Sequence, residues 1–145
     1  MIGPSALDHV GIAVEDLEAA VAHYRRVLGL EPVHRERVED QGVEEVLFEL
    51  GGSYVQLLGA LGPDTPVGRS LARRGPGVHH IAIRVDDIAQ ALRRLRTEGV
   101  RLVDEAPRPG SRDTLIAFVH PSAMGGVLLE LVQERPAGGA GPSRG

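Results

Sequence analysis

The 145-residue chain has no cysteine, no tryptophan, two tyrosines and two phenylalanines, and 16 basic residues against 20 acidic ones leave a net charge of −4. Without cysteine there are no disulfides and no thiolate metal sites, and a reducing cytoplasm is the expected compartment. Aromatics at 3% give no stacking surface for bases, and the weakly negative balance offers no footprint for nucleic acid or an anionic membrane. No apolar run approaches the roughly 20 residues that span a bilayer, and neither end carries a basic segment followed by an apolar one. What is left is ordinary globular composition, 42% hydrophobic and 25% charged, in a length that suits one domain or two small modules sharing a core. Any functional site must therefore be local.

What the chain does have is a repeat. Leu7-Asp8-His9-Val10-Gly11-Ile12-Ala13-Val14-Glu15-Asp16-Leu17 aligns without gaps on Val78-His79-His80-Ile81-Ala82-Ile83-Arg84-Val85-Asp86-Asp87-Ile88. The likeness continues at Gly29-Leu30 against Gly99-Val100, and at Gly51-Gly52-Ser53-Tyr54-Val55-Gln56-Leu57 against Gly125-Gly126-Val127-Leu128-Leu129-Glu130-Leu131. Self-similarity at a fixed period marks one supersecondary unit written twice. The expected layout is a first module over 6–62, a connecting segment over 63–77, a second module over 78–134 and a disordered tail over 135–145, too polar and glycine-rich to pack.

Each copy reads as strand, helix, then strands. In His9 to Val14 the apolar Val10, Ile12 and Val14 alternate with His9, Gly11 and Ala13, the period of a half-buried strand. Asp16 caps a helix that runs to about Leu28, with Leu17, Ala20, Val21, Tyr24 and Leu28 at helical spacing and Gly29 ending it. Asp87 to Gly99 repeats this with Ile88, Ala91, Leu92 and Leu95. Further strands are expected over 43–50, 54–58, 114–120 and 127–132, and a short helix over 67–74 in the connecting segment. The fold class is α+β, built from two βαβββ modules.

Successive residues of a strand point to opposite faces. With Val10, Ile12 and Val14 covering the helix, His9 lies on the other face beside only Gly11 and Ala13, and small neighbours leave room. The same phase sets His80 with Ala82 against Ile81 and Ile83, Gln56 against Val55 and Leu57, and Glu130 against Leu129 and Leu131. Four polar residues thus project from equivalent strands in two pairs, His9 with His80 and Gln56 with Glu130. Two imidazoles, a carboxylate and an amide oxygen form a mixed donor set that suits Co²⁺, Mn²⁺, Ni²⁺ or Zn²⁺, with open positions left for substrate. A single strand histidine is more often a packed core residue than a ligand, but the coincidence at four positions across both copies favours the metal. Within His79-His80, phase selects His80 and puts His79 on the helix face or the edge. In Val43 to Leu50, the apolar Val46, Phe48 and Leu50 face the helix, which leaves Glu45 on the cavity side as a candidate general base tuned by burial. Glu39 and Glu44 read as solvated charges, His23 and His34 as surface residues, and the arginines at 73–74 and 93–94 as solvated helix faces.

On these residues the chain resembles the vicinal oxygen chelate superfamily and, within it, the methylmalonyl-CoA epimerases. "LDHVGIAVEDLEAA", "HHIAIRVDDI", "EDQGVEE" and "IAFVHPSAMGGVLLELVQ" carry the likeness, which covers about residues 7–134. The resemblance implies a curved mixed β-sheet around a divalent metal, Co²⁺ foremost, held by His9, Gln56, His80 and Glu130. It also implies a homodimer that interconverts (2R)- and (2S)-methylmalonyl-CoA by removing and returning the C2 proton, with the metal stabilising the enolate charge. Two proton carriers are needed, one for each face, and the resemblance carries these roles to Glu45 and Glu130. Ser122 stands where the family commonly has lysine after His-Pro, and Pro109-Gly110-Ser111-Arg112-Asp113-Thr114 departs from the family's loop, which leaves the acyl-CoA contacts open. Two other functions suit a related inventory. One is a glyoxalase I-like isomerase acting on a thiol-conjugated substrate with the same ligand types; the other is a non-enzymatic antibiotic-binding protein of the bleomycin-resistance kind, which would lack a full ligand set.

Overall fold

The computed structural model describes residues 2–135. The tail expected from residue 135 falls, from 136 on, outside the described residues. Each copy of the repeat folds as βαβββ. The first gives β1 (Pro4–Ala13), α1 (Leu17–Leu28), β2 (His34–Val38), β3 (Val43–Leu50) and β4 (Ser53–Ala60); α2 (Pro66–Arg74) follows. The second gives β5 (Gly77–Val85), α3 (Ile88–Thr97), β6 (Arg108–Pro109), β7 (Leu115–Val119) and β8 (Leu129–Gln133). This is the α+β class expected from the repeat.

The helices begin where their caps say. The Asp16 carboxylate accepts from the Ala19 N–H at 3.1 Å, and Asp87 does the same from Gln90 at 3.0 Å, so both copies use one device at one place. Gly29 closes α1 in the left-handed region at φ 69°, its N–H returning to the Arg25 carbonyl. Between the modules, Thr65 caps α2 and Pro66 occupies its first turn.

Packing divides the chain into two compact units, one of Leu7–Ala82, the other formed from Ile83 onward with the residues before Leu7. The division falls inside β5, past His80. In the first unit the strand order is β2-β3-β4-β1, with the opening residues of β5 beyond β1. β2, β3 and β4 are antiparallel neighbours, whereas β4 runs parallel to β1, which requires the long connection that α1, β2 and β3 supply. Val21 of α1 packs with Val46 and Phe48 of β3 and Leu57 of β4, and Ile12, Val14 and Leu17 close over them. The apolar phases of β1 and β3 therefore face α1 as alternation predicts. Leu50 is the exception: it is the last residue of β3, beside the Gly51-Gly52 turn, and is 49% exposed. A second cluster joins Ala13, Val38, Val43 and Leu58 to Val67 of α2.

In the second unit β7 lies between β6 and β8, antiparallel to both. Ile88, Ala91 and Leu92 of α3 pack on Val85, Ala117, Val119 and Leu131. Fully burying Ile88 and Leu92 stabilises by about 1.5–3 kcal/mol each. With Ala117 and Leu131 turned to α3, their neighbours Phe118 and Glu130, directly opposite one another across the ladder, take the other face.

Candidate metal and proton-transfer site

The Leu7–Ala82 unit brings the two histidines together. β1 presents His9 and β5 presents His80, both buried, and their Nε2 atoms face each other at 3.0 Å with the rings nearly perpendicular. Gly11, the next residue on this face of β1, is what admits the second ring: a Cβ there would stand 2.7 Å from Nδ1 of His80. Alternation thus puts His9 and Gly11 on one surface, and the missing side chain becomes the space the other imidazole fills.

Each imidazole is held from behind. Nδ1 of His9 donates to Oδ2 of Asp8 at 2.6 Å, and Asp8 is 0% exposed. The carboxylate fixes the proton on Nδ1 and turns Nε2 into the lone-pair nitrogen, the arrangement that orients metal-binding histidines. Nδ1 of His80 lies 2.9 Å from Nδ1 of His79. Asp8 and His79 occupy the same place in the repeat, so each copy writes an orienting residue directly before its histidine. Two ligand nitrogens on one cation, with bonds of about 2.1 Å and angles between a right angle and the tetrahedral one, are separated by roughly 3.0–3.4 Å, which matches the observed pair.

β4 and β3 add a buried amide and a buried carboxylate. The Gln56 amide N–H donates to Oε1 of Glu45 at 2.7 Å. Its amide oxygen is buried with no hydrogen-bond partner among the described residues. Leaving such an acceptor unsatisfied costs about 1–3 kcal/mol, and a cation at that oxygen removes the cost. The donor chemistry therefore fits a divalent ion. Glu45 itself is 2% exposed, inward on β3 as the strand phase requires.

Glu130 belongs to the other unit, buried on β8 opposite Phe118, as Gln56 on β4 lies opposite Leu47. His9, His80 and Glu130 are each buried and each of a type that ligates a divalent metal. Among the surface assignments, Glu39 and Glu44 are ion-paired to Arg37 and Arg35, and His23 is exposed. His34 is different from its expectation: it is half-buried, with Nε2 2.8 Å from Oε1 of Glu36. Alternation passed over it because β2 is polar on both faces. Asp8 also escaped sequence reasoning, although its place before the first histidine, matched by His79 before the second, was a usable signal.

The Glyoxalase/Bleomycin resistance protein/Dioxygenase superfamily matches residues 8–118. The mitochondrial methylmalonyl-CoA epimerase of Bos taurus is 39% identical over 128 residues, covering 88% of this chain and 73% of the bovine one. The crystal structure of methylmalonyl-CoA epimerase from Mycobacterium tuberculosis matches with a TM-score of 0.89 and 42% identity, covering 95% of this chain and 93% of its own. A methylmalonyl-CoA epimerase in complex with methylmalonyl-CoA and NH4+ matches with a TM-score of 0.88 and 41% identity, covering 91% and 96%. By sequence and by fold, the chain belongs to the Glyoxalase/Bleomycin resistance protein/Dioxygenase superfamily and, within it, to the methylmalonyl-CoA epimerase family.

Proposed function

We propose that the chain is a metal-dependent epimerase that interconverts (2R)- and (2S)-methylmalonyl-CoA. His9, Gln56, His80 and Glu130 hold the divalent cation, with Co²⁺ first among Co²⁺, Mn²⁺, Ni²⁺ and Zn²⁺, and Glu45 and Glu130 carry the protons. The observation that carries this reading is the pair of Nε2 atoms 3.0 Å apart, one of them with its tautomer set by a buried carboxylate. The names of the bovine relative and of the neighbour in complex with methylmalonyl-CoA support the substrate.

The C2 proton of this substrate lies between a thioester carbonyl and a carboxylate, so its removal leaves an enolate. A cation held by these residues supplies Lewis-acid stabilisation for the charge that develops on the substrate oxygens. Glu45 takes the proton. Its Oε1 is fixed by the Gln56 N–H, so one side chain offers an oxygen to the cation and aims the base. Burial keeps bulk water from that carboxylate and so from protonating the carbanion without control of the face. Return of a proton from the opposite side, assigned to Glu130, gives the other epimer. Holding a cation makes a carboxylate a weaker base, so the two roles of Glu130 compete, and Glu130→Gln separates them. The compartment proposed is the cytoplasm, which the lack of cysteine suits, and the working form a homodimer.

The test is to incubate Co²⁺-loaded protein with methylmalonyl-CoA in D2O and follow C2 by proton NMR. Deuterium exchange together with epimerisation is the expected result, and no deuterium at C2 would sink the reading. Turnover of a glutathione hemithioacetal would move it to the isomerase, and tight binding of a hydrophobic antibiotic by metal-free protein would move it to sequestration.

A further inference from the structure

Glu45 raises a problem of its own. A base with 2% exposure that has taken a proton needs a route by which that proton reaches water. β2 offers one. Its residues His34, Glu36 and Val38 alternate with Arg35 and Arg37, and the arginines turn outward to ion pairs with Glu18, Glu44 and Glu39. The other face of β2 meets the inward face of β3, where Glu36 stands directly opposite Glu45. Nε2 of His34 is 2.8 Å from Oε1 of Glu36, and the donor atoms of His34, Glu36 and Glu45 all lie within 4.8 Å of one another. The His34 and Glu36 side chains are 31% and 35% exposed, so the row leads from a closed interior to solvent in one strand width. Two carboxylates directly across an antiparallel pair repel, a placement that a purely structural role does not call for.

We infer that His34 and Glu36 form a proton relay that connects the buried Glu45 carboxyl with water. This rests on the reading of Glu45 as the base. When the C2–H bond breaks, its electron pair stays with the substrate as the enolate and the proton forms an O–H bond on Glu45. Glu45 passes the proton to the Glu36 carboxylate, directly or through one bridging water, and becomes a carboxylate again. Glu36 passes it to Nε2 of His34 in the tautomer that carries its proton on Nδ1, and the imidazolium releases the Nδ1 proton to water, leaving Nε2–H to donate to the Glu36 carboxylate. The relay does not touch the substrate. It decides whether the proton that Glu45 returns is the one it took or one from solvent.

The test uses each epimer of methylmalonyl-CoA in turn, carrying deuterium at C2, with Co²⁺-loaded protein in ordinary water, and the epimer whose C2 proton faces Glu45 reports on the relay. The readout is the ratio of label lost from recovered, uninverted substrate to epimer formed. In the intact protein Glu45 swaps its deuteron before returning it, and recovered substrate loses label. His34→Phe and Glu36→Gln are expected to lower the ratio by about a hundredfold, the low end of what a positioned proton carrier contributes, while epimerisation falls far less. Added imidazole is expected to restore the ratio in His34→Ala. A structural defect would lower both rates together, and a constant ratio in both variants overturns the relay. Glu45→Gln distinguishes the two levels: if it abolishes exchange while the relay variants leave the ratio unchanged, the relay alone is wrong; if it still exchanges, the base assignment fails and the relay with it.

Discussion

The two copies of the repeat open with the same strand and the same capped helix, yet they hold their histidines differently. In the first copy a carboxylate, Asp8, sits on Nδ1 of His9; in the second an imidazole, His79, sits on Nδ1 of His80. A carboxylate only accepts, so it fixes the tautomer and makes the other ring nitrogen a better donor. An imidazole gives or takes the hydrogen bond and fixes less. The oxygen donors differ in the reverse sense. Gln56 is neutral and is tied to a separate carboxylate, Glu45, whereas Glu130 brings its own charge. Duplication supplied paired positions, and divergence at those positions placed a carboxylate against an imidazole and a neutral amide against a charged carboxylate.

The comparison breaks most visibly at the histidines. His9→Ala and His80→Ala are both expected to lose the cation and reduce C2 exchange to background, with metal content by atomic emission as the check. Retention of metal in either one would mean that the copies do not contribute alike. Next come the carboxylates. Glu45→Gln is expected to slow exchange by about 10²–10⁴-fold with metal content unchanged, while Glu130→Ala, which leaves no oxygen for the cation, loses metal as well. Equal metal content in the two would remove Glu130 from the ligand set. The orienting residues follow: Asp8→Asn is expected to weaken metal affinity by about 10–100-fold, and His79→Gln by less, measured by competition with a chelator.

Packing gives a smaller contrast. Gly11→Ala is expected to destabilise by about 1–3 kcal/mol, because a methyl group is forced against the His80 ring. The matching exchange in the other copy, Ala82→Gly, costs about 0.5–1 kcal/mol for chain entropy, more if the buried methyl group leaves a cavity. Thermal unfolding of the pair measures the difference. The smallest effect belongs to the outer edge. Hydrogen bonding from Arg35 holds the exposed Glu18 carboxyl below its ordinary value. Its contribution is therefore present above the unfolded carboxylate pKa and is lost as pH falls through the lowered folded value. Arg35→Gln should abolish that acid-side dependence and change neutral-pH stability little.

How legible the molecule was depends on where the information sits. β1, β5, α1 and α3 could be read because their signals are local: period-two alternation, Asp16 and Asp87 as caps, and Gly29 as a stop. The strand phase also put His9, His80, Gln56 and Glu45 on one side of their strands, where they are buried. β2 escaped because His34-Arg35-Glu36-Arg37 is polar on both faces, and its order comes from register with β3 and from ion pairs that no local pattern announces. β6 is two residues long and includes a proline, below the length at which alternation has meaning. Phase gives the direction of a side chain but not its reach, which is why the grip of Asp8 on His9 was hidden.

Gly11 limits how far the two halves could ever be made alike. A designer who idealised this repeat would write the same residue at positions 11 and 82, and alanine, already enclosed at Ala82, would be the obvious consensus. That choice would drive a methyl group into the His80 ring and close the place where the two imidazoles meet. A symmetric version of this protein with alanine at both positions is therefore excluded by a single carbon atom, and only glycine in both copies, at the cost of the enclosed Ala82 methyl group, would leave the two imidazoles where they now meet.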